Sequence, residues 1–266
     1  MAILAEYHKP QSVAEAVALL RRTDVRLRPL AGGSQLVGAL ETRTLKAVDG
    51  VVDLAGLGLH RIFATIALLR IGATATLSDV SSHSVAGALA GGILRRTAAC
   101  EGPVNLRNAA TVGGLIACAE MDSEFYAALL ALNASVIVSD GRHETSIPLP
   151  VFALPSSHHL IIAVTLPIRT LRAGHARIAR TPSERCIVAA VAVMGDGVER
   201  VALCGVGERP LLAGGALTPP DNWKGSAEYR LAMADVVRHR ALTEARSRAR
   251  SPLYRKLCTD QRDDKT

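Results

Sequence analysis

Apolar residues first recur at Val13, Ala16, Val17 and Leu20, the i, i+3, i+4, i+7 stripe of a helix that buries one face. Ser12 and Glu15 stand before it as a capping box. Leu27–Ala31 then reads as a short buried strand that ends in Gly32-Gly33. A helix over Leu36–Leu40 and a strand over Val48–Leu54 follow. This alternation is the setting in which a ligand loop commonly succeeds a strand. Leu68–Thr76 predicts another strand, with Gly72 as a bulge or a close backbone approach. A helical stretch opens at Leu77-Ser78-Asp79 and runs with interruptions to Ala99. Glu101–Gly114 reads as a loop. Phe125, Ala128, Leu129 and Leu132 resume helical spacing, and Ser135–Val138 and Leu160–Leu166 are strand-like.

After Pro167 and the charged stretch Arg169–Gly174 the pattern changes. Val188–Met194 and Val198–Val206 are apolar runs joined at Asp196-Gly197, a strong hairpin signal. Gly214–Pro220 reads as a linker, and the remainder is polar and helical. A small antiparallel sheet followed by helices predicts a separate C-terminal domain, and the chain as a whole reads as α+β.

Mean hydropathy is +0.23, high enough to prompt a search for a membrane span. The densest apolar runs, Ile62–Leu69 and Leu160–Leu166, fall far short of the roughly 20 residues a span needs. Glu6, His8 and Lys9 break any signal-peptide core, so a cytoplasmic location is expected. The five cysteines (Cys100, Cys118, Cys186, Cys204, Cys258) are scattered, which argues against a disulfide framework, zinc or an iron–sulfur cluster held by this chain. Of the net charge of +7, most lies between Arg238 and Lys256, where seven basic residues face Glu244 alone. A solvated helix face accounts for that run, with an acidic protein partner as the alternative; no nucleic-acid motif accompanies it. Adjacent His158 and His159 point apart on an extended chain and make a poor metal pair. Asp122 and Glu124 suit a helix N-terminus better than acid–base catalysis, since no nucleophile or base accompanies them.

Two glycine loops carry the chemistry. They are Ala31-Gly32-Gly33-Ser34-Gln35-Leu36 and Asn108-Ala-Ala-Thr111-Val-Gly113-Gly114-Leu115. Without a Cβ, backbone N–H groups can converge on a pyrophosphate, with Ser34 and Thr111 as added hydroxyl donors. Neither loop is a Walker A or a GxGxxG motif.

Together the loops resemble the FAD subunit of the xanthine dehydrogenase and carbon-monoxide dehydrogenase family, with its AGG-Thr/Ser-x-Leu and Arg-Asn-x-x-Thr-Val/Ile-Gly-Gly-Asn motifs. Ile71–Asp79, Leu129–Ala134, Ile161–Pro167 and Ala249–Arg255 are similar to further segments of the same family, in order. The resemblance implies a PCMH-type FAD-binding domain over 1–170, with subdomains of about 1–55 and 56–170, and a C-terminal α+β domain over 171–266. It implies that Ala31, Gly32, Gly33, Ser34, Gln35 and Leu36 form the first phosphate loop, and Thr111, Gly113, Gly114 and Leu115 the second. By the same likeness Glu124 would bind the flavin nucleotide, the Ile161 backbone would contact the flavin ring, and Arg177 would sit beside it. There an arginine would stabilise the charge that builds on reduction.

Three departures stand out. Leu115 replaces an Asn, Met121 replaces a Pro, and Glu184-Arg185-Cys186 stands where Asp–aromatic–Ala is frequent, so a possible ring-stacking aromatic is missing. The implied function is an oxidoreductase subunit that takes electrons from a [2Fe–2S] small subunit, beside a molybdopterin large subunit, and passes them through FAD to NAD or a quinone. A flavin-free structural subunit and a stand-alone flavoprotein oxidase are the alternatives.

Overall fold

The computed structural model describes residues 4–45, 47–153 and 158–248. The first unit comprises β1 (Glu6–His8), α1 (Val13–Leu20), β2 (Leu27–Leu30), α2 (Leu36–Glu41) and β3 (Gly50–Asp53). Its strands pair in parallel in the order β1-β3-β2. Ser12 caps α1 by accepting from the Glu15 N–H at 3.1 Å. The Glu15 carboxylate reaches one residue further than a capping box requires, accepting from the Gln11 N–H at 2.8 Å. The stripe Ala16, Val17 and Leu20 packs with Leu27, Val52 and Leu54, and also with Ile137, Leu160 and Ile162 of the next sheet. The first unit is thereby anchored to the second through shared apolar burial.

The second unit runs through β4 (Ile62–Ala64), β5 (Leu68–Gly72), α3 (Leu77–Ser82), α4 (Leu89–Ala98), α5 (Val104–Ala109), α6 (Val112–Cys118) and α7 (Glu124–Ala131). It closes with β6 (Ser135–Ser139), β7 (Glu144–Pro148) and β8 (Leu160–Pro167). These five strands form an antiparallel sheet of order β4-β5-β8-β6-β7. Gly72 is a close approach: a Cβ there would overlap the Leu59 carbonyl. The interruption expected in the long helical stretch is a left-handed turn at Ala90, Gly91 and Gly92, with φ of 48°, 72° and 82°. Glu101–Gly114, expected as a loop, instead holds α5 and the start of α6. Pro103 supplies the N-cap of α5 and the Thr111 hydroxyl that of α6. Every residue of α7 is buried, because the helix lies between α4 and the third sheet.

The third unit consists of β9 (Arg172–Ile178), β10 (Val188–Gly195), β11 (Val198–Cys204), β12 (Leu211–Leu212) and α8 (Ala227–Ser247). Its antiparallel order is β12-β11-β10-β9. The β10–β11 hairpin turns on Asp196 and Gly197, with φ of 49° and 74°, the two positive values that match a two-residue turn to strand twist. Small residues Ala234, Ala241 and Ala245, with Val237, form the buried stripe of α8 against Val188, Ala190 and Ala192. They let the helix backbone settle directly on β9, where a Cβ at Gly174 would overlap the Ala241 carbonyl. Arg230, almost fully buried on the same helix, donates to the carbonyls of Ile187 at 2.6 Å and Gly205 at 3.0 Å and to Asn222 Oδ1 at 2.8 Å.

The basic run divides. Arg238, Arg240 and Arg246 are exposed on α8, and Arg248 pairs with Glu244 at 2.7 Å. Arg250, Arg255, Lys256, Cys258 and the Ala249–Arg255 resemblance lie outside the described residues. Among the described residues no helix is long and apolar enough to cross a membrane.

Gly174→Val should lower stability by about 3 kcal/mol, the upper end of the cost of overpacking a well-packed site. Chemical denaturation of the variant should show a lower midpoint, whereas Gly38→Ala, within α2 at a glycine whose Cβ would meet open space, should lose little.

Candidate cofactor site

Between the first and second units lies a cleft of about 1160 Å³, part of it open to solvent. Its lining brings together Ala31, Gly32, Gly33, Ser34, Gln35 and Leu36 with Thr111, Gly113, Gly114, Leu115 and Ile161. Residues far apart in the chain thus share one wall. Glu101, Glu120, Ser123 and Arg185 complete it, against otherwise largely apolar surroundings.

The first loop leaves β2 and turns at Gly33, whose φ of +72° is left-handed and strained for any residue with a Cβ. Val37 N–H then donates to the Gly33 carbonyl at 2.9 Å and starts α2. Within the described residues no hydrogen bond uses the N–H of Gly33, Ser34 or Gln35. Three consecutive donors therefore remain for a ligand, the arrangement that suits a phosphate anion. Gly32 has a different task. A Cβ there would overlap the Ala109 carbonyl, so the absence of a side chain lets the first loop rest on the end of α5.

The second loop is fastened rather than open. Leu77 N–H donates to Ala110 O at 3.0 Å, Val112 N–H to Ala75 O at 2.9 Å and Gly113 N–H to Ala73 O at 2.8 Å. Gly114 N–H donates to the Thr111 hydroxyl at 3.2 Å. A Cβ at Gly113 would stand 2.8 Å from the Ala73 Cβ. These glycines serve close packing and a helix cap, not the convergence of free N–H groups that the motif alone suggests. Beside them, β8 slips one register against β6 between Ile137 and Val138, next to Ile161 on the cleft wall.

Two expected residues lie elsewhere. Glu124, 1% exposed at the start of α7, does not line the cleft. Its carboxylate meets His175 Nε2 at 2.5 Å and Arg177 Nε at 2.9 Å, both from β9. Burial alone would push the Glu124 carboxyl up, but His175 and Arg177 together hold it below its ordinary range. Cys100 adjoins the same cluster, and burial with the nearby Glu124 charge pushes its thiol up to about 12. Glu124, His175, Arg177 and Cys100 thus tie α4 and α7 to the third sheet. Position in the chain could not show which way the Glu124 side chain points.

Arg185 was legible only as a departure from the family pattern, yet it stands on the cleft wall. It pairs with Glu101 and Glu120 and lies 3.3 Å from Asp122. Glu120 also accepts from Gln35 of the first loop, linking the two sides of the cleft. Glu101 is buried, and burial raises its carboxyl above the ordinary value against the opposing pull of Arg185.

A glycine turn with three unused N–H groups facing a largely apolar cleft suits a ligand that joins an anion to an apolar body, as nucleotide cofactors do. Comparison with known proteins agrees. Residues 3–169 match the family model described as the FAD binding domain in molybdopterin dehydrogenase. The carbon monoxide dehydrogenase medium chain of Afipia carboxidovorans is 27% identical, over 92% of this chain and 98% of that relative. The glyceraldehyde dehydrogenase medium chain of Sulfolobus acidocaldarius is 24% identical, over 90% and 97%. A solved structure of reconstituted CO dehydrogenase from Oligotropha carboxidovorans superposes with a TM-score of 0.83 at 25% identity, covering 94% of this chain and all of that one. The chain belongs to the FAD-binding family of molybdopterin dehydrogenases and is an oxidoreductase subunit of the medium, FAD-binding type.

Gly33→Val should show its main effect as a strong loss of FAD binding, with about 1–3 kcal/mol of stability lost to the strain of a β-branched residue at a left-handed φ. Gly113→Val should instead lower thermal stability, because it drives α6 off Ala73. A fluorescence titration beside a thermal melt separates the two.

Glu124→Gln leaves His175 and Arg177 without their anion and should cost about 3 kcal/mol at pH 7, the loss expected on breaking a buried pair. Because the folded-state value of Glu124 is depressed below 4.5, its contribution is complete above that pH and fades as pH falls through the folded value. The gap between wild type and variant should therefore be widest at neutral pH and close under acid, as measured by melts across pH.

Proposed function

We propose that the cleft is where this chain holds FAD, with the pyrophosphate on the donors of Gly33, Ser34 and Gln35 and with Leu36, Thr111, Gly114, Leu115 and Ile161 around the remainder. The observation that carries the reading is the meeting of two glycine loops on one wall, with unused N–H groups at only one of them. Bound FAD would supply a carrier that can accept and release electrons singly or in pairs. The protein's own part is to bind and orient it, to exclude water with Leu54, Leu77, Leu106 and Leu160, and to keep it close to the surface. Glu124 and Arg177 act in this reading through the seating of α7 and β9 rather than by touching the cofactor.

We further infer that the subunit receives electrons from a [2Fe–2S] partner and delivers them to an acceptor such as NAD or a quinone, while a molybdopterin partner meets the organic substrate. The relatives' designation as medium chains of dehydrogenases supports a place in a hetero-oligomer. So do Val37, Val104 and Leu106, apolar and exposed on α2 and α5, the helices that flank the cleft. We infer a division into 1–170 as the FAD-binding part and 171–266 as the C-terminal part, a reading supported by the separate sheet that begins at β9.

Purified protein should bind FAD without a covalent link, and acid denaturation should release a yellow cofactor. Colourless protein that fails to quench FAD fluorescence would favour the flavin-free structural alternative. Co-expression with candidate partners and size-exclusion chromatography should yield a larger complex. A monomer that oxidises alcohols or phenols unaided would overturn the subunit reading.

A further inference from the structure

We propose that Arg185 is a stacking platform for a flat heteroaromatic ring of the bound dinucleotide, an inference that rests on the FAD reading above. Arg185 precedes β10 and lines the cleft. Its guanidinium lies among three carboxylates. One terminal nitrogen pairs with Glu101, the other with Glu120, and Nε lies 3.3 Å from Asp122. Glu101 is held in turn, its second oxygen accepting from the Ser123 hydroxyl and the Phe125 N–H, both at 2.8 Å. The ion pairs fix where the guanidinium lies, although each terminal nitrogen keeps a second N–H and Nε is buried without a hydrogen bond. The pinned group also offers its planar face, a delocalised and weakly hydrated surface that stacks on aromatic rings.

Charge points the same way. Glu101, Glu120 and Asp122 outnumber Arg185 and Lys224, which pairs with Asp122 at 2.8 Å, so this wall carries an excess of negative charge. Phosphate is disfavoured beside these carboxylates, which leaves an uncharged ring for Arg185. Among the described residues lining the cleft there is no Phe, Tyr or Trp, so flat side-chain surface comes from Arg185 and His159. Leu77 and Leu106 supply apolar contact for such a ring.

The test is a set of FAD titrations followed by flavin fluorescence, with circular dichroism melts to confirm folding. Arg185→Ala should weaken FAD binding by about tenfold, within the range for desolvated cation–aromatic contacts. Arg185→Lys, charged but not flat, should behave like Ala. Arg185→Tyr, flat but uncharged, should recover most of the affinity when made with Glu120→Gln, which relieves the uncovered carboxylates. Titrating FMN and ADP separately should show the Arg185→Ala loss in one of them, and that half of the dinucleotide carries the stacked ring. Rescue by Lys but not Tyr would mean that charge matters and the face does not. Wild-type affinity in every folded variant, or equal behaviour of FMN and ADP across the set, would overturn the inference while FAD binding stands. Should Arg185→Ala fail to fold, the Lys and Tyr/Gln variants alone decide between charge and face. Wild type that binds no FAD would overturn both this inference and the reading beneath it.

Discussion

The cleft exists because one backbone can lie directly on another. Gly32 rests against the Ala109 carbonyl, and Gly113 against Ala73, so the loop after β2 and the start of α6 close to distances that no side chain would permit. Once those contacts are made, the donors of the second loop are consumed internally and those of the first are left facing the opening. Gly32 and Gly113 build the wall, and the turn at Gly33 furnishes it with donors. This division of labour explains why two similar motifs occur in one chain without doing the same thing.

Much of the architecture could be read from the residues. The α1 stripe, the strand that ends before Gly32 and the hairpin at Asp196-Gly197 are all local or strongly patterned features, whereas the pairing of the two glycine loops came from the family resemblance. What escaped had physical reasons. α5 and α6 span six and seven residues, too short to display a helical period, and they sit among Pro, Asn and Gly residues that ordinarily mark loops. β7 is largely exposed and carries a polar sequence, so burial leaves no alternation to detect. β9 is charged along its length because Arg172, His175 and Arg177 find partners on other elements, and such partners have no signature in local sequence.

The same limit governs the site. Glu124 stands at a helix N-terminus, where a carboxylate can point outward to a ligand or inward to the protein, and the choice depends on His175 and Arg177, some fifty residues away. Arg185 is the converse case. A cation where an aromatic is common reads as a loss, and only the structure shows the three acids that hold it on the cleft wall. Glu124 was legible as a match to the family and Arg185 as a departure from it, and the partners of neither could be assigned without the third dimension.

Glu101 joins these two regions through a single carboxylate. One oxygen grips Arg185 on the cleft wall, and the other holds the first turn of α7 through Ser123 and Phe125. The residue between those two is Glu124, whose side chain clasps the third sheet. A guanidinium that shifts must either leave Glu101 or pull it, and a pulled Glu101 moves the helix end on which the third sheet hangs. The cleft and the seam between the units are therefore joined through one buried carboxylate that solvent barely touches.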